Sequence, residues 1–306
     1  MKVHELKGNK HPKKGKYGVE IEVESNSTPF GNYLTPKEWY TTEDGSLRNM
    51  YNVEYVLNGP KSYAKTVEAI ENLQGFFEEI SAVNVPSIRT GVHVHLNVTD
   101  RTLTELSKIV AVYLTLERVL SKYCGEDRDG NLFCLRVCDC PSMALYISAA
   151  MSNASWMDSF NSEYHKYSAL NLSTISKHGS IEFRTLKTPK VLTDIIEWID
   201  IIEAIEKYAL SLENLYDIPY EISYYSFDVW AKKVLGDELF EKVDYLGLEK
   251  DIKSDMRNIQ SIYYMKIKDE PYEKPEELEA DLNLALDALN KIIEEIQAYN
   301  EDTPEL

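Results

Sequence analysis

Tyr17-Gly18-Val19-Glu20-Ile21-Glu22-Val23-Glu24 alternates between apolar and acidic positions along its length. Only a backbone that sends successive side chains to opposite faces separates the two sets, so the stretch reads as a β-strand with an apolar and a carboxylate face. Thr90-Gly91-Val92-His93-Val94-His95-Leu96-Asn97-Val98 repeats the pattern with imidazoles on the polar face. Tyr51 to Leu57 reads as another strand, stopped by Asn58-Gly59-Pro60 and preceded by a turn over Thr42-Glu43-Asp44-Gly45-Ser46. Tyr167 to Leu172 and Ser180 to Leu186 read as short strands.

Helical spacing separates and follows these strands. Tyr63, Val67, Ile70, Leu73, Phe77 and Ile80 recur at steps of about three and four. A second helix starts at Asp100, Thr102 or Thr104 and carries Leu106, Ile109, Val110, Tyr113, Leu114 and Leu120 on its apolar face. A third begins near Thr193 and buries Ile195, Trp198, Ile199, Ile202 and Ala209. A last one opens at Pro275-Glu276-Glu277 and runs through Leu278, Leu282, Ala285, Leu289, Ile292, Ile293 and Ile296. Strands mainly first and helices last predict an α+β fold with an antiparallel sheet backed by helices and a helical C-terminal region. The expected divisions are a flexible, solvated basic arm over 1–16, a catalytic domain over 17–215 and a helical region over 216–306 packed on it.

With 33 basic against 51 acidic side chains, net −18, the surface repels phosphate backbones and argues against general nucleic-acid binding. ATP remains open, because acidic proteins bind it through metal ions. No apolar run reaches the ~20 residues that span a bilayer, and the first residues have no apolar signal region, so a cytoplasmic protein with no membrane partner is expected. Cys124, Cys134, Cys138 and Cys140 are spaced more loosely than zinc knuckles and read as small hydrophobes near a loop. Tyr216, Tyr220, Tyr224 and Tyr225 read as packing between helices.

The polar strand faces carry the chemistry. Residues two apart share a face, so Glu20, Glu22 and Glu24 project together, as do His93 with His95 and Glu182 with Arg184, while Glu54 stands on its own strand. Any antiparallel sheet with one wet face shows such alternation. Here, however, neighbouring glutamates repel and no lysine balances them, and Mg²⁺ or Mn²⁺ would supply the missing charge. The same His93-x-His95 and glutamate set is also compatible with zinc or manganese in a metal-dependent hydrolase.

In order, Gly18-Val19-Glu20-Ile21-Glu22, Asp44-Gly45-Ser46-Leu47 leading to Val53-Glu54-Tyr55-Val56, Thr90-Gly91-Val92-His93-Val94-His95 and Ile181-Glu182-Phe183-Arg184-Thr185-Leu186 resemble the motifs of the amidoligase family. That family is a branch of the carboxylate–amine ligase superfamily, which includes glutamine synthetase and glutamate–cysteine ligase. The resemblance runs from Tyr17 to about Thr188, and Tyr167 to Leu172 is similar to the family's segment before its Glu-x-Phe-Arg strand. It implies a glutamine-synthetase-like catalytic domain and an ATP-dependent ligase joining a small-molecule or peptide carboxylate to an amine through an acyl phosphate. It further implies that Glu20, Glu22, Glu54, His93 and Glu182 hold two or three Mg²⁺ or Mn²⁺ ions and that Arg184 grips the transferring phosphoryl group. His95, Asn171 and Asp44 then contact nucleotide or substrate, or complete the metal shell. A non-catalytic relative acting through protein contacts is the remaining alternative.

Overall fold

The computed structural model describes residues 2–26, 35–152, 166–243 and 245–267. The alternating stretches become one antiparallel sheet of β1 (Tyr17–Ser25), β2 (Trp39–Thr42), β3 (Tyr51–Leu57), β4 (Val92–Asn97), β5 (Leu170–Asn171) and β6 (Ser180–Phe183), ordered β2-β3-β1-β4-β6-β5. With helices covering one face, this is a mixed helix-and-sheet architecture. Val19, Ile21 and Val23 of β1, Val92, Val94 and Leu96 of β4 and Ile181 and Phe183 of β6 are all essentially inaccessible. They meet α2 (Tyr63–Glu79) and α3 (Leu103–Tyr123), with Tyr55 against Phe77 and Tyr113 against Phe183. Burying each such side chain stabilises the fold by about 1.5–3 kcal/mol.

Thr102 is the N-cap of α3. Its hydroxyl accepts from the Glu105 amide while the Glu105 carboxylate accepts from the Thr102 amide. The helix is apolar nearly all round because it is sandwiched: the sheet lies on one side and α6 (Ile195–Ser211) on another. Its Glu117 is fully buried and accepts the amides of Val137 and Cys138 at 3.1 and 3.0 Å. Burial pushes the Glu117 carboxyl up to about 7, against those amide donors, which favour the charged form. The folded state therefore holds this proton more tightly than the unfolded chain does. Stability referable to Glu117 falls as pH rises from about 4.5 to about 7 and is constant above that. Between those limits Glu117→Gln is expected to gain on the parent by on the order of 3 kcal/mol in urea unfolding. A pH-independent difference would contradict this.

Several expectations change. The 1–16 arm is anchored at both ends rather than solvated throughout. α1 (Val3–Leu6) buries Val3 and His4, Lys7 donates to the Ile175 carbonyl, and Lys16 pairs with Glu203 and Glu206 at 3.0 and 2.9 Å. The continuous stretch 8–15 is exposed. β2 follows no clear alternation, because only Trp39 of its four residues is buried. The strand expected over Tyr167 to Leu172 shrinks to Leu170–Asn171, and the one expected to reach Leu186 ends at Phe183.

Beyond Ser211 come α7 (Asp217–Tyr224), α8 (Phe227–Lys242), α9 (Glu249–Asn258) and α10 (Gln260–Tyr263). They belong to one compact unit with the sheet, which extends to Asp269, so position 215 is not a boundary between units. Trp230 donates to Tyr208, Arg118 of α3 pairs with Asp255, and Tyr263 bonds Thr115. The tyrosine cluster is exposed instead of packed: α7 turns Ile218 inward, which leaves Tyr220 and Tyr224 stacked on the opposite, outer side. The helix expected from Pro275 lies outside the described residues. Among the described residues no helix is long and apolar enough to cross a membrane.

Candidate metal and phosphoryl site

Strand register builds the polar face. Glu22 stands opposite Glu54, Glu20 opposite His93, His95 opposite Glu182, and Glu182 opposite Asn171. Residues from five separate stretches thus occupy one patch, with Asp44 reaching in from the turn after β2. Ligand atoms fall into three groups, each within 4.8 Å: Glu20 with His95 and Glu182, Glu20 with Glu54 and His93, and Glu22 with Asp44 and Glu54. Glu20 is shared by two groups, and so is Glu54.

The polar contacts form a continuous set. His93 Nδ1 lies 3.3 Å from Glu20 Oε2 and 3.4 Å from Glu182 Oε1. Arg184 Nη1 donates to Glu182 Oε1 at 2.5 Å and lies 3.4 Å from His93 Nδ1. Glu22 Oε2 accepts the Gly91 amide at 2.6 Å. Gly91 lets these groups close in: a Cβ there would stand 3.3 Å from Glu22 Oε2, 3.3 Å from Arg128 Nη2 and 3.4 Å from His93 Nε2, so each would have to give by a few tenths of an ångström.

Charge on this face is out of balance without a cation. Burial, a hydrogen bond with Asp44 and the Asp44 charge push the Glu22 carboxyl up to about 9. Burial and the charges of Glu20 and Asp44 push Glu54 up to about 7. Burial alone would raise Glu20 and Glu182 as well, but His93 and His95 hold Glu20 well below the usual range, and Arg184 with the imidazoles holds Glu182 down. Burial together with the Arg184 charge lowers His93, while Glu20 and Glu182 raise His95 against its burial. Protons on Glu22 and Glu54 thus do what divalent ions would do, and ions binding there would release them.

The residues fit such ions. His95 Nε2 is buried and lies 3.4 Å from Glu20 Oε1 without making a hydrogen bond, so a strong ring donor or acceptor is left over at the cluster. Carboxylates with at most one imidazole per group suit hard cations such as Mg²⁺ and Mn²⁺. Beside His95 the face opens into a hollow of about 200 Å³ lined by Gly18, Tyr40, Pro60, Asn97 and His178. Gly18 shapes it, because it is the one β1 position on this face with no side chain.

Asn171 and Asp44 both lie at the cluster. Asn171 is buried and fully engaged: its amide donates to Glu182 Oε2 at 2.6 Å, and its oxygen accepts the Ser173 amide and hydroxyl. Its bond to Glu182 holds that carboxylate in orientation. Asp44 accepts the Ser46 amide at 2.7 Å, which shapes its turn, while remaining in the third ligand group. Glu24, on the same face as Glu20 and Glu22, is spent on the Arg48 and Asn49 amides. The cysteines are apart from the cluster: Cys124, Cys134 and Cys138 are buried, and Cys138 donates to the Leu114 carbonyl. Sequence reasoning missed Arg128, a neighbour of the cluster whose partners are backbone carbonyls.

Compared with known proteins, the chain matches no family model and no curated protein.

Proposed function

We propose that this chain is an ATP- and divalent-metal-dependent carboxylate–amine ligase, with its sheet and covering helices forming a glutamine-synthetase-like catalytic domain. The observation that carries the reading is the three ligand groups that share Glu20 and Glu54 and sit against Arg184. Divalent ions held there would neutralise triphosphate oxygens and the charge that develops on phosphoryl transfer to a carboxylate. Glu20, Glu54, His93, His95 and Glu182 hold and space the ions, and Glu22 with Asp44 supplies the outer group. Arg184 presents a planar fork that matches phosphoryl oxygens, and its neighbour Glu182 keeps it in place. The open hollow beside His95, with Tyr40 and Pro60 on its wall, is the surface against which the rest of the nucleotide would lie. An amine then displaces phosphate from the acyl carbon, forming the C–N bond and giving up a proton.

The split of the two imidazoles favours this over metal-dependent hydrolysis. His93 and His95 fall in different groups, each with two carboxylates, whereas hydrolytic zinc favours nitrogen-rich sets. Calorimetry decides the metal link. With net −18 and a carboxylate-lined face, ATP is expected to bind only when Mg²⁺ or Mn²⁺ is present. Equal affinity in EDTA would overturn the proposal. Tight Mn²⁺ binding that ATP neither uses nor strengthens would point to the hydrolase instead.

A further inference from the structure

Arg128 is 1% exposed, at the end of the turn Glu126–Arg128 that follows α3. Its Nε donates to the Thr185 carbonyl at 2.7 Å and its Nη2 to the Arg184 carbonyl at 2.8 Å. Among the described residues its Nη1 has no hydrogen-bond partner, and no carboxylate makes an ion pair with it. Burying a guanidinium with one nitrogen unpartnered costs free energy, because a charged donor has left water without a replacement bond. Yet the group is placed beside the metal cluster: Nη2 stands 3.3 Å from the point where a Gly91 Cβ would be, as does Glu22 Oε2, with His93 Nε2 at 3.4 Å.

The two carbonyls it takes are the ones β6 cannot use. The β4–β6 ladder is interrupted after Val94 and Phe183 and resumes only where Val92 donates to the Leu186 carbonyl and Gly91 bridges Lys187, so Arg184 and Thr185 lie in the interruption. The Arg128 fork spans Arg184 and Thr185, and Tyr113 holds the Thr185 hydroxyl at 2.8 Å from the helix side. The Arg184 amide is also fixed, donating to the Ala169 carbonyl at 2.9 Å. Both ends of the Arg184 peptide segment are therefore set by named partners, and from that fixed backbone its side chain runs to Glu182 and His93.

We infer that Arg128 is a positioning residue, whose fork on the Arg184 and Thr185 carbonyls aims the Arg184 guanidinium into the metal and phosphoryl site; the consequence for phosphoryl binding rests on the ligase reading above. Lysine at 128 keeps the charge but loses the rigid planar fork, and methionine keeps the bulk alone.

The test uses the full chain with ¹⁵N-labelled arginine, in the parent, Arg128→Lys and Arg128→Met, each first melted thermally. The Arg184 Nε–H signal is expected to move or broaden in both variants while backbone signals of β1 and β4 stay in place. With Mg²⁺ present, both are also expected to lose the roughly 10- to 100-fold preference for a non-hydrolysable triphosphate analogue over ADP that the parent's Arg184 confers. An unchanged Arg184 signal in a folded variant overturns the inference. So does failure of both variants to fold, which would assign Arg128 to the fold alone. If the parent's Arg184 signal ignores the Mg²⁺ analogue while still depending on Arg128, the ligase reading fails and the positioning stands.

Discussion

Arg184→Ala is expected to lower the rate of ADP release by about 10³- to 10⁵-fold, as loss of a phosphoryl-binding arginine does elsewhere. Among the described residues the guanidinium is the one Lys or Arg group in an ion pair with the ligand cluster, at 2.5 Å from Glu182. Arg184→Lys is expected to be badly impaired as well, because it keeps the charge and loses the two-pronged geometry. Stability carries a second signature. Glu182 is 3% exposed, and Arg184 is the main charge holding it ionised. Removing one partner of a buried pair costs about 3–5 kcal/mol, so Arg184→Ala melts earlier in EDTA. Mn²⁺ is expected to restore most of that loss, since an ion on Glu182 replaces the missing charge. A variant that melts normally and releases ADP like the parent would remove Arg184 from the mechanism.

Glu20→Ala is expected to weaken Mn²⁺ binding by more than the 10- to 100-fold that follows loss of a merely supporting partner. Glu20 belongs to two of the three ligand groups, so one substitution dismantles both. His93 and His95 lose their common carboxylate at the same time. Glu24→Gln is the matched control. It lies on the same strand and face, but its carboxylate serves the Arg48 and Asn49 amides, so Mn²⁺ affinity should hardly move. Mn²⁺ titration followed by electron paramagnetic resonance reads both. Equal effects at 20 and 24 would mean that the acidic face attracts ions only diffusely.

The polar face was readable before the structure because period-two alternation is a local property. Glu20, Glu22, His93, His95 and Glu182 could each be placed on it from their own strand. What joined them was not local. That Glu22 meets Glu54 and Glu20 meets His93 depends on register, which connections of very different length set between β1, β3 and β4. Asn171 shows the limit most clearly. Its place beside the Glu-x-Phe-Arg strand was visible, but its hydrogen bond to Glu182 exists only once β5 pairs with β6. Arg128 carried no signal, since its partners are backbone carbonyls, which every residue has. The exposed tyrosines failed for the opposite reason: aromatic character suggests burial, but two turns of α7 need only Ile218 to dock.

The most direct measurement is anomalous diffraction from crystals soaked in Mn²⁺ and a non-hydrolysable ATP analogue. At least two manganese peaks are expected on the sheet face, within about 2.0–2.6 Å of carboxylate oxygens of Glu20 and Glu54, with imidazole nitrogen from His93 or His95 completing them. Triphosphate oxygens should bridge the ions and face Arg184. A sheet face without manganese at saturating concentration, or a single ion held away from Glu20 with the nucleotide elsewhere, would contradict the account.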